Sequence, residues 1–218
     1  MTHPVPYTPS LIEALGVRLV PLHVPEGVAV HDPFAGDGHR LAEMCDAIGR
    51  VYTGTDIEVW PESDERVRLG DSTDPATYPE HAHAIVTSPS YNNGVNDHFL
   101  PRETSRRLTY RTALGRALHD NNTGRWSGRS SARAEAEYWR ISEEVVRCWP
   151  PIALVNVKDS IRAGEVYPLV RLWERLLRRH GYRTSTTMVA TPSFRLGRNG
   201  EKRAESEAII IAKAKAKR

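Results

Sequence analysis

The chain has 218 residues, 39% hydrophobic and 26% charged, with a formal net charge of +3 at pH 7. That length buries one substantial core and predicts a single domain, and the composition excludes a disordered, collagen-like or fibrous chain. Two cysteines without a CxxC pair or a Cys/His cluster exclude a disulfide framework and argue against a metal site, and the lack of a long apolar run or signal-peptide pattern predicts a soluble, cytosolic protein off the membrane.

Arginine supplies 25 of the 30 basic residues. Its planar fork suits phosphate and base-edge contacts. A GC-rich coding bias explains the excess equally well.

The proline-rich first residues predict an extended start. Thr8-Pro9-Ser10 then opens a short helix over Leu11–Leu15, with Thr8 as N-cap and Pro9 at the first helical position. Val28–Phe34 is the first strand. It runs through Asp32 into Ala35-Gly36-Asp37-Gly38 and a helix from His39 to Ile48. Strand, glycine turn and helix let backbone N–H groups approach a nucleotide-like ligand. The turn is shorter than the six-residue GxGxxG fingerprint, which disfavours a nicotinamide dehydrogenase; a plain tight turn reads the same way.

Val51–Ile57 is a second strand. It places Asp56 20 residues beyond Gly36, where a carboxylate can accept bonds from ribose hydroxyls; a solvated strand-end acid is the alternative. Val67–Ser72 is a third strand, with Asp71 able to bond an adenine amino group or to cap a helix. The fourth, Ala84–Thr87, stops abruptly in Ser88-Pro89-Ser90-Tyr91. In open α/β sheets, ligands bind at the carboxyl ends of strands. A hydroxyl, a rigid proline and an aromatic ring delivered there can hold a flat, polar substrate.

An irregular segment follows, from Asn92 to about Ser130. Between Pro101 and Arg133 it holds eight arginines, among them Arg106, Arg107 and Arg111, against Glu103 and Asp120, with Tyr110 and Trp126 interleaved. Such an insertion serves as a nucleic-acid contact surface or as a solvated loop. Ala132–Trp149 reads as an amphipathic helix with Tyr138, Ile141, Val145 and Cys148/Trp149 facing the core. Ile152–Asp159 is a fifth strand, Pro168–His180 a helix stopped by Gly181, and residues 182–190 a sixth strand. A polar loop, Thr191–Ala204, carries Arg195 and Arg198, and Ser206–Lys215 is the seventh strand. The pattern predicts an α/β fold: one Rossmann-like domain whose seven-stranded, mostly parallel sheet ends in an antiparallel strand.

Asp32-Pro33-Phe34-Ala35-Gly36-Asp37-Gly38 followed by Thr87-Ser88-Pro89-Ser90-Tyr91 resembles the amino-methyltransferases of DNA, whose motifs look like DPFAGSG and TSPPY (cytosine-type) or DPPY and NPPY (mostly adenine-type). Tyr7-Thr8-Pro9-Ser10 is similar to the family's N-terminal methionine-binding motif. Val155–Asp159, and Thr191-Pro192 leading to Arg195 and Glu207, are similar to the later strands of small bacterial or phage members. The resemblance covers most of the chain, with Asp37 in place of the family's serine and Ser90 in place of its second proline.

The resemblance implies S-adenosylmethionine as cofactor, held by Thr8, Asp32, Phe34, Ala35, Gly36, Gly38, Asp56, Ile57, Asp71 and Ser72. It implies catalysis by Ser88, Pro89 and Tyr91, with Ser90, Asn92, Asn93, Arg106, Arg107, Arg111 and Arg195 toward the substrate. The expected partner is double-stranded DNA with the target base flipped out. The expected reaction is direct in-line methyl displacement onto an exocyclic amine, N4 of cytosine before N6 of adenine. Ser88 and the Pro89 carbonyl would accept the amino hydrogens while Tyr91 stacks on the base. Base–aromatic stacking of roughly 1–3 kcal/mol is comparable with the few kcal/mol of unstacking. A thiolate mechanism at carbon is disfavoured because no Pro-Cys stands at the site, and Cys45 and Cys148 read as core residues. The chain is expected to lack a separate target-recognition domain and to read sequence through the insertion, the 191–204 loop, a second copy or a partner chain. RNA or protein amine methylation, or a non-catalytic nucleic-acid-binding relic, are the alternatives. A role beside a restriction nuclease is one biological setting the resemblance allows.

Overall fold

The computed structural model describes residues 7–80, 82–90, 114–127, 131–162, 165–195 and 203–215. Its strands are β1 (Ala29–Asp32), β2 (Tyr52–Asp56), β3 (Val67–Leu69), β4 (Ala82–Thr87), β5 (Ile152–Val157), β6 (Ser160–Arg162), β7 (Glu165–Tyr167), β8 (Tyr182–Arg195) and β9 (Arg203–Ala214). Seven of them form one sheet in the order β3-β2-β1-β4-β5-β9-β8. β9 is antiparallel to both neighbours, and the other pairings are parallel. This is the expected doubly wound α/β sheet with its antiparallel last strand. The strand order turns back between β1 and β4, and the crevice at such a point is where open sheets bind ligands.

Both faces of the sheet are covered, so its central strands are apolar on both sides. α1 (Pro9–Glu13), a π-helical stretch (Ala14–Leu19), α2 (Val20–His23) and α3 (His39–Ala47) cover one face, packing Leu11, Leu15, Leu19, Val20 and Leu41 against Val30, Ala84, Val86 and Leu154. α4 (Thr123–Trp126) lies in the described part of the insertion. α5 (Ala132–Arg147) and α6 (Leu169–Arg179) cover the other face, packing Tyr138, Ile141, Val145, Trp173 and Leu177 against Ile85, Val155 and Ile210. Ile85 thus points away from its neighbours Ala84 and Val86, as the two-residue period of a strand requires. Trp149 and Trp173 lie nearly parallel in this second core, centroids 6.1 Å apart.

Besides α4, which falls in the segment expected to be irregular, three elements differ from the sequence expectation. The first helix does not stop at Leu15 but continues through the π-helical stretch to His23. Pro21 has no N–H to give the preceding turn, and a widened turn absorbs that missing bond while keeping Leu19 and Val20 inside. The polar stretch Thr191–Ala204 is largely strand: β8 reaches Arg195 and β9 starts at Arg203, with Phe194 opposite Ala204 across a bulge. β8 lies at the edge of the sheet, and polar residues are compatible with pairing in an edge strand, so a polar composition does not require a loop there. A small hairpin, β6–β7, occupies Ser160–Tyr167, where no element was expected.

Candidate active site

β1 ends at Asp32, whose side chain is fully buried. Its Oδ1 accepts the Phe34 N–H at 3.0 Å and the Thr87 hydroxyl at 2.5 Å, and its Oδ2 accepts the Tyr7 hydroxyl at 3.3 Å. One carboxyl therefore ties together the N-terminal segment, the start of the glycine turn and the end of β4. Burial pushes it up to about 6, against the bonds from Thr87, Phe34 and Tyr7. Thr87 is the residue before Ser88, so the two sequence motifs meet at Asp32. Asp32, which the resemblance implies holds the cofactor, braces the turn in this structure.

The glycine turn itself has Gly36 and Gly38 at φ 58° and 73°. Gly38 opens α3, and a Cβ there would sit 2.3 Å from Val67 Cγ2, so no other residue fits. Ala35 is buried and Phe34 half-buried beside the turn. Asp56, at the end of β2, accepts the Gly36 N–H at 2.8 Å on Oδ2, and the Glu58 N–H at 2.9 Å and Trp60 Nε1–H at 3.2 Å on Oδ1. Burial pushes its carboxyl up to about 7, against those three bonds. A ribose acceptor was expected here; the structure shows a carboxyl engaged by two backbone amides and the Trp60 indole. Ile57 beside it is half-buried.

Asp71, just past β3, accepts from Thr73 N and Oγ1 at 3.0 and 2.8 Å on Oδ1 and from Asn121 Nδ2 at 2.7 Å on Oδ2. Burial alone would raise its pKa, but the Asn121 and Thr73 bonds and the nearby His119 hold it below the ordinary carboxylate value. Ser72 is buried and donates to the Pro33 carbonyl at 2.6 Å, turning its hydroxyl inward. Thr8 likewise uses its hydroxyl on the Leu11 N–H, 3.4 Å away, as the cap of α1.

At the end of β4, Pro89 is buried and Ser88 and Ser90 are half-buried. The loop is held from two sides. Tyr138 of α5 donates its hydroxyl to the Ser90 carbonyl at 2.7 Å, and Trp173 Nε1 donates to that hydroxyl at 3.2 Å. Asn156 of β5 donates to Ser88 Oγ at 3.4 Å and to Glu207 Oε2 at 3.1 Å, while Lys158 Nζ reaches Glu207 Oε1 at 3.2 Å. Glu207 of β9 is 3% exposed while Lys158 is half-buried, and Asn156 links this pair to the Ser88 loop.

The structure thus places Asp32, Phe34, Ala35, Gly36, Gly38, Asp56, Ile57, Asp71, Ser72, Ser88, Pro89 and Ser90 at or just past the carboxyl ends of the neighbouring strands β3, β2, β1 and β4. Tyr91, Asn92, Asn93, Arg106, Arg107 and Arg111 lie outside the described residues. Arg195 ends β8, its backbone paired with Arg203. Sequence reasoning missed Glu58, Asn121 and the Tyr138 contact. Glu58 carries a weak signal, a second acid two residues after Asp56; Tyr138 was legible only as a core aromatic. Cys45 is buried and Cys148 half-buried, both as free thiols. Among the described residues no group of three or more His, Cys, Asp or Glu could hold a metal ion, and no helix is long and apolar enough to cross a membrane.

No family model matches the chain, and no curated protein matches it. Solved structures do. A SAM-dependent methyltransferase from Archaeoglobus fulgidus is 14% identical, with 94% of each chain covered and a TM-score of 0.51. A protein from Thermoplasma acidophilum is 12% identical over 100% of this chain and 92% of its own, with a TM-score of 0.51. A proposed RNA methyltransferase from Pyrococcus horikoshii is 14% identical over 95% of this chain and 83% of its own, with a TM-score of 0.50. The chain shares their fold. At these identities the likeness extends to architecture and no further.

Proposed function

We propose that the chain is an S-adenosylmethionine-dependent methyltransferase acting on the exocyclic amine of a nucleic-acid base, with N4 of cytosine in DNA as first acceptor. The observation that carries this reading is the Asp32 carboxyl. It joins the glycine turn, through Phe34, to Thr87 at the root of the Ser88-Pro89-Ser90 loop, so a cofactor edge and an acceptor edge are braced against one group.

The residues present fit the cofactor. Asp56, half-buried beside the glycine turn, and Asp71 each keep a lone pair beyond the bonds they already accept. That suits a ligand whose ribose hydroxyls and adenine amine are donors, while Ser72 keeps its hydroxyl turned inward. When bound, S-adenosylmethionine supplies a methyl group on a positively charged sulfur.

The chain's own residues deal with the acceptor. An amine conjugated to its ring is a poor nucleophile until its lone pair leaves the ring plane. Ser88 Oγ and the Pro89 carbonyl accept the amino hydrogens and favour that geometry, and positioning of this kind accounts for most of the barrier lowered. Asn156 supports Ser88 from behind, and Tyr138 fixes the next carbonyl. The resemblance assigns to Tyr91, next in the chain, the role of stacking on the flipped base.

A basic face supports a polyanionic acceptor. Arg171, Arg175, Arg178 and Arg179 line a shallow groove on α6, with Arg178 paired to Glu174 and Arg179 near Glu143. RNA is the second acceptor class, because one protein of this fold is named for RNA. Transfer of radiolabelled methyl from S-adenosylmethionine to purified DNA, RNA and protein tests the proposal. Label in DNA is the expected result; label in RNA alone selects the second class, and label in none overturns the enzyme reading.

A further inference from the structure

The arginine-rich insertion, taken as a whole, points from sequence toward nucleic acid. Its described part, residues 114–127, is docked elsewhere: on the carboxyl ends of β2 and β3. Leu118 is 1% exposed, and Thr123 and Ser127 are each 2% exposed, so the segment is packed down. Arg125 closes it on itself by donating to the Leu118 carbonyl at 2.6 Å, as does Trp126 Nε1 to the Asp120 carbonyl at 2.7 Å.

What holds it is Glu58, a carboxylate 3% exposed. Its Oε1 accepts the His119 N–H at 2.6 Å and Asn122 Nδ2–H at 3.0 Å, and its Oε2 faces the Arg116 guanidinium at 2.7 Å. A buried carboxylate gathers donors because it is costly to leave without them. Between those anchor points sits Asn121. It gives Nδ2–H to Asp71 Oδ2 at 2.7 Å and takes Arg140 of α5 on its Oδ1 at 3.3 Å.

We propose that Asn121, positioned by Glu58, sets the orientation of Asp71 so that the pair discriminates an amine from a carbonyl on the purine of the adenosyl ligand. This rests on the cofactor reading above and adds to it the residues that choose the purine. The chemistry is a matter of donors and acceptors. A carboxylate is acceptor-only, and Oδ2 keeps a second lone pair after taking the Asn121 bond. An exocyclic amine donates to that lone pair. A carbonyl in the same place presents oxygen to oxygen and leaves a polar group unpaired, the arrangement that gives binding sites their strongest rejection. Asn121 matters because the two Thr73 bonds hold only Oδ1, and the Asn121 bond fixes Oδ2, the oxygen offered to the amine.

The test is calorimetric binding of S-adenosylhomocysteine and of S-inosylhomocysteine, its analogue with a carbonyl for the amine, to the wild-type chain, Asn121→Ala and Glu58→Gln. The wild type is expected to prefer the adenosyl compound. Asn121→Ala is expected to weaken it about tenfold while leaving the inosyl compound within about twofold, the size of one hydrogen bond. Glu58→Gln should move the ratio the same way, with melting temperature recorded for both variants. A ratio unchanged in both variants, with only the melting temperature lowered, overturns the proposal and leaves the segment a purely structural cap. Failure of the wild type to bind either compound overturns the cofactor reading, and the proposal with it.

Discussion

The two halves of the candidate site are built differently. On the cofactor side, acids end the strands, and the protein's own donors already engage them: Asp32, Asp56, Glu58 and Asp71 together accept from backbone amides, hydroxyls, an indole and two asparagines. On the acceptor side, Ser88, Pro89 and Ser90 bring neutral oxygens, supported from behind by Asn156 and Tyr138. The first half spends charge on holding a shape. The second holds uncharged acceptors where a neutral amine must be met. A strand-end acid therefore marks a place in such a fold without showing that its oxygens are open to a ligand.

That contrast breaks most visibly at Asp32. Asp32→Ala leaves the Phe34 amide and the Thr87 and Tyr7 hydroxyls without their acceptor, and the expected cost is about 4 kcal/mol, read by urea denaturation. A loss below about 1 kcal/mol would mean that Asp32 does not brace the turn.

The pH dependence of stability sharpens the same side. Asp32 and Asp56 are raised from 3.8 to about 6 and about 7 by burial. The folded protein therefore binds those protons more tightly than the unfolded chain does. Their contribution is fully present below the unfolded value and is lost as pH rises through about 6 and then about 7. Asp64, lowered chiefly by its Arg66 hydrogen bond, and Asp71 act in the opposite sense and only at more acid pH. His31, lowered from 6.5 to about 4 by burial, acts against Asp32 and Asp56 inside the window, with a contribution about as large as that of Asp32. Melting temperature should therefore fall between pH 4 and 7 by the Asp56 contribution, the equivalent of about 4 kcal/mol. Asp56→Asn should flatten the upper part of that fall; a profile rising across the window would contradict the assignment.

On the acceptor side, Ser88→Ala should lower turnover about a hundredfold, the usual scale for one positioned group. Cofactor affinity by calorimetry should stay within about twofold, since Ser88 lies on the other half. Equal loss of both would make Ser88 a structural residue. Smallest is Tyr138→Phe, which removes the hydroxyl from the Ser90 carbonyl and should cost about 1 kcal/mol of stability with a modest rise in KM. No change in either would mean that the loop holds its place unaided.

Much of this was legible in the chain. The alternation of Ala84, Ile85 and Val86, the helix stripe Tyr138–Ile141–Val145 and the glycine turn each carry a strong local signal. So do the Thr8 cap and the acids ending three strands. The bonds that occupy those acids were not legible, because Asn121 reaches Asp71 across 50 residues and Thr87 reaches Asp32 across 55. No local pattern encodes a partner so distant. Edge strand β8 was cut short for a related reason: its polar residues Ser185, Thr186 and Thr187 read as strand only through their β-branched neighbours, and past Ala190 that signal ends although the pairing with β9 resumes at Phe194.

The central claim is that the Ser88-Pro89-Ser90 loop presents a base amine for methylation. Mass spectrometry of nucleosides from DNA incubated with S-adenosylmethionine and either the wild-type chain or Ser88→Ala tests it most directly. The account predicts N4-methylcytosine with the wild type and about a hundredfold less with the variant. Methylation at a ring carbon, or an equal yield from both proteins, would contradict it.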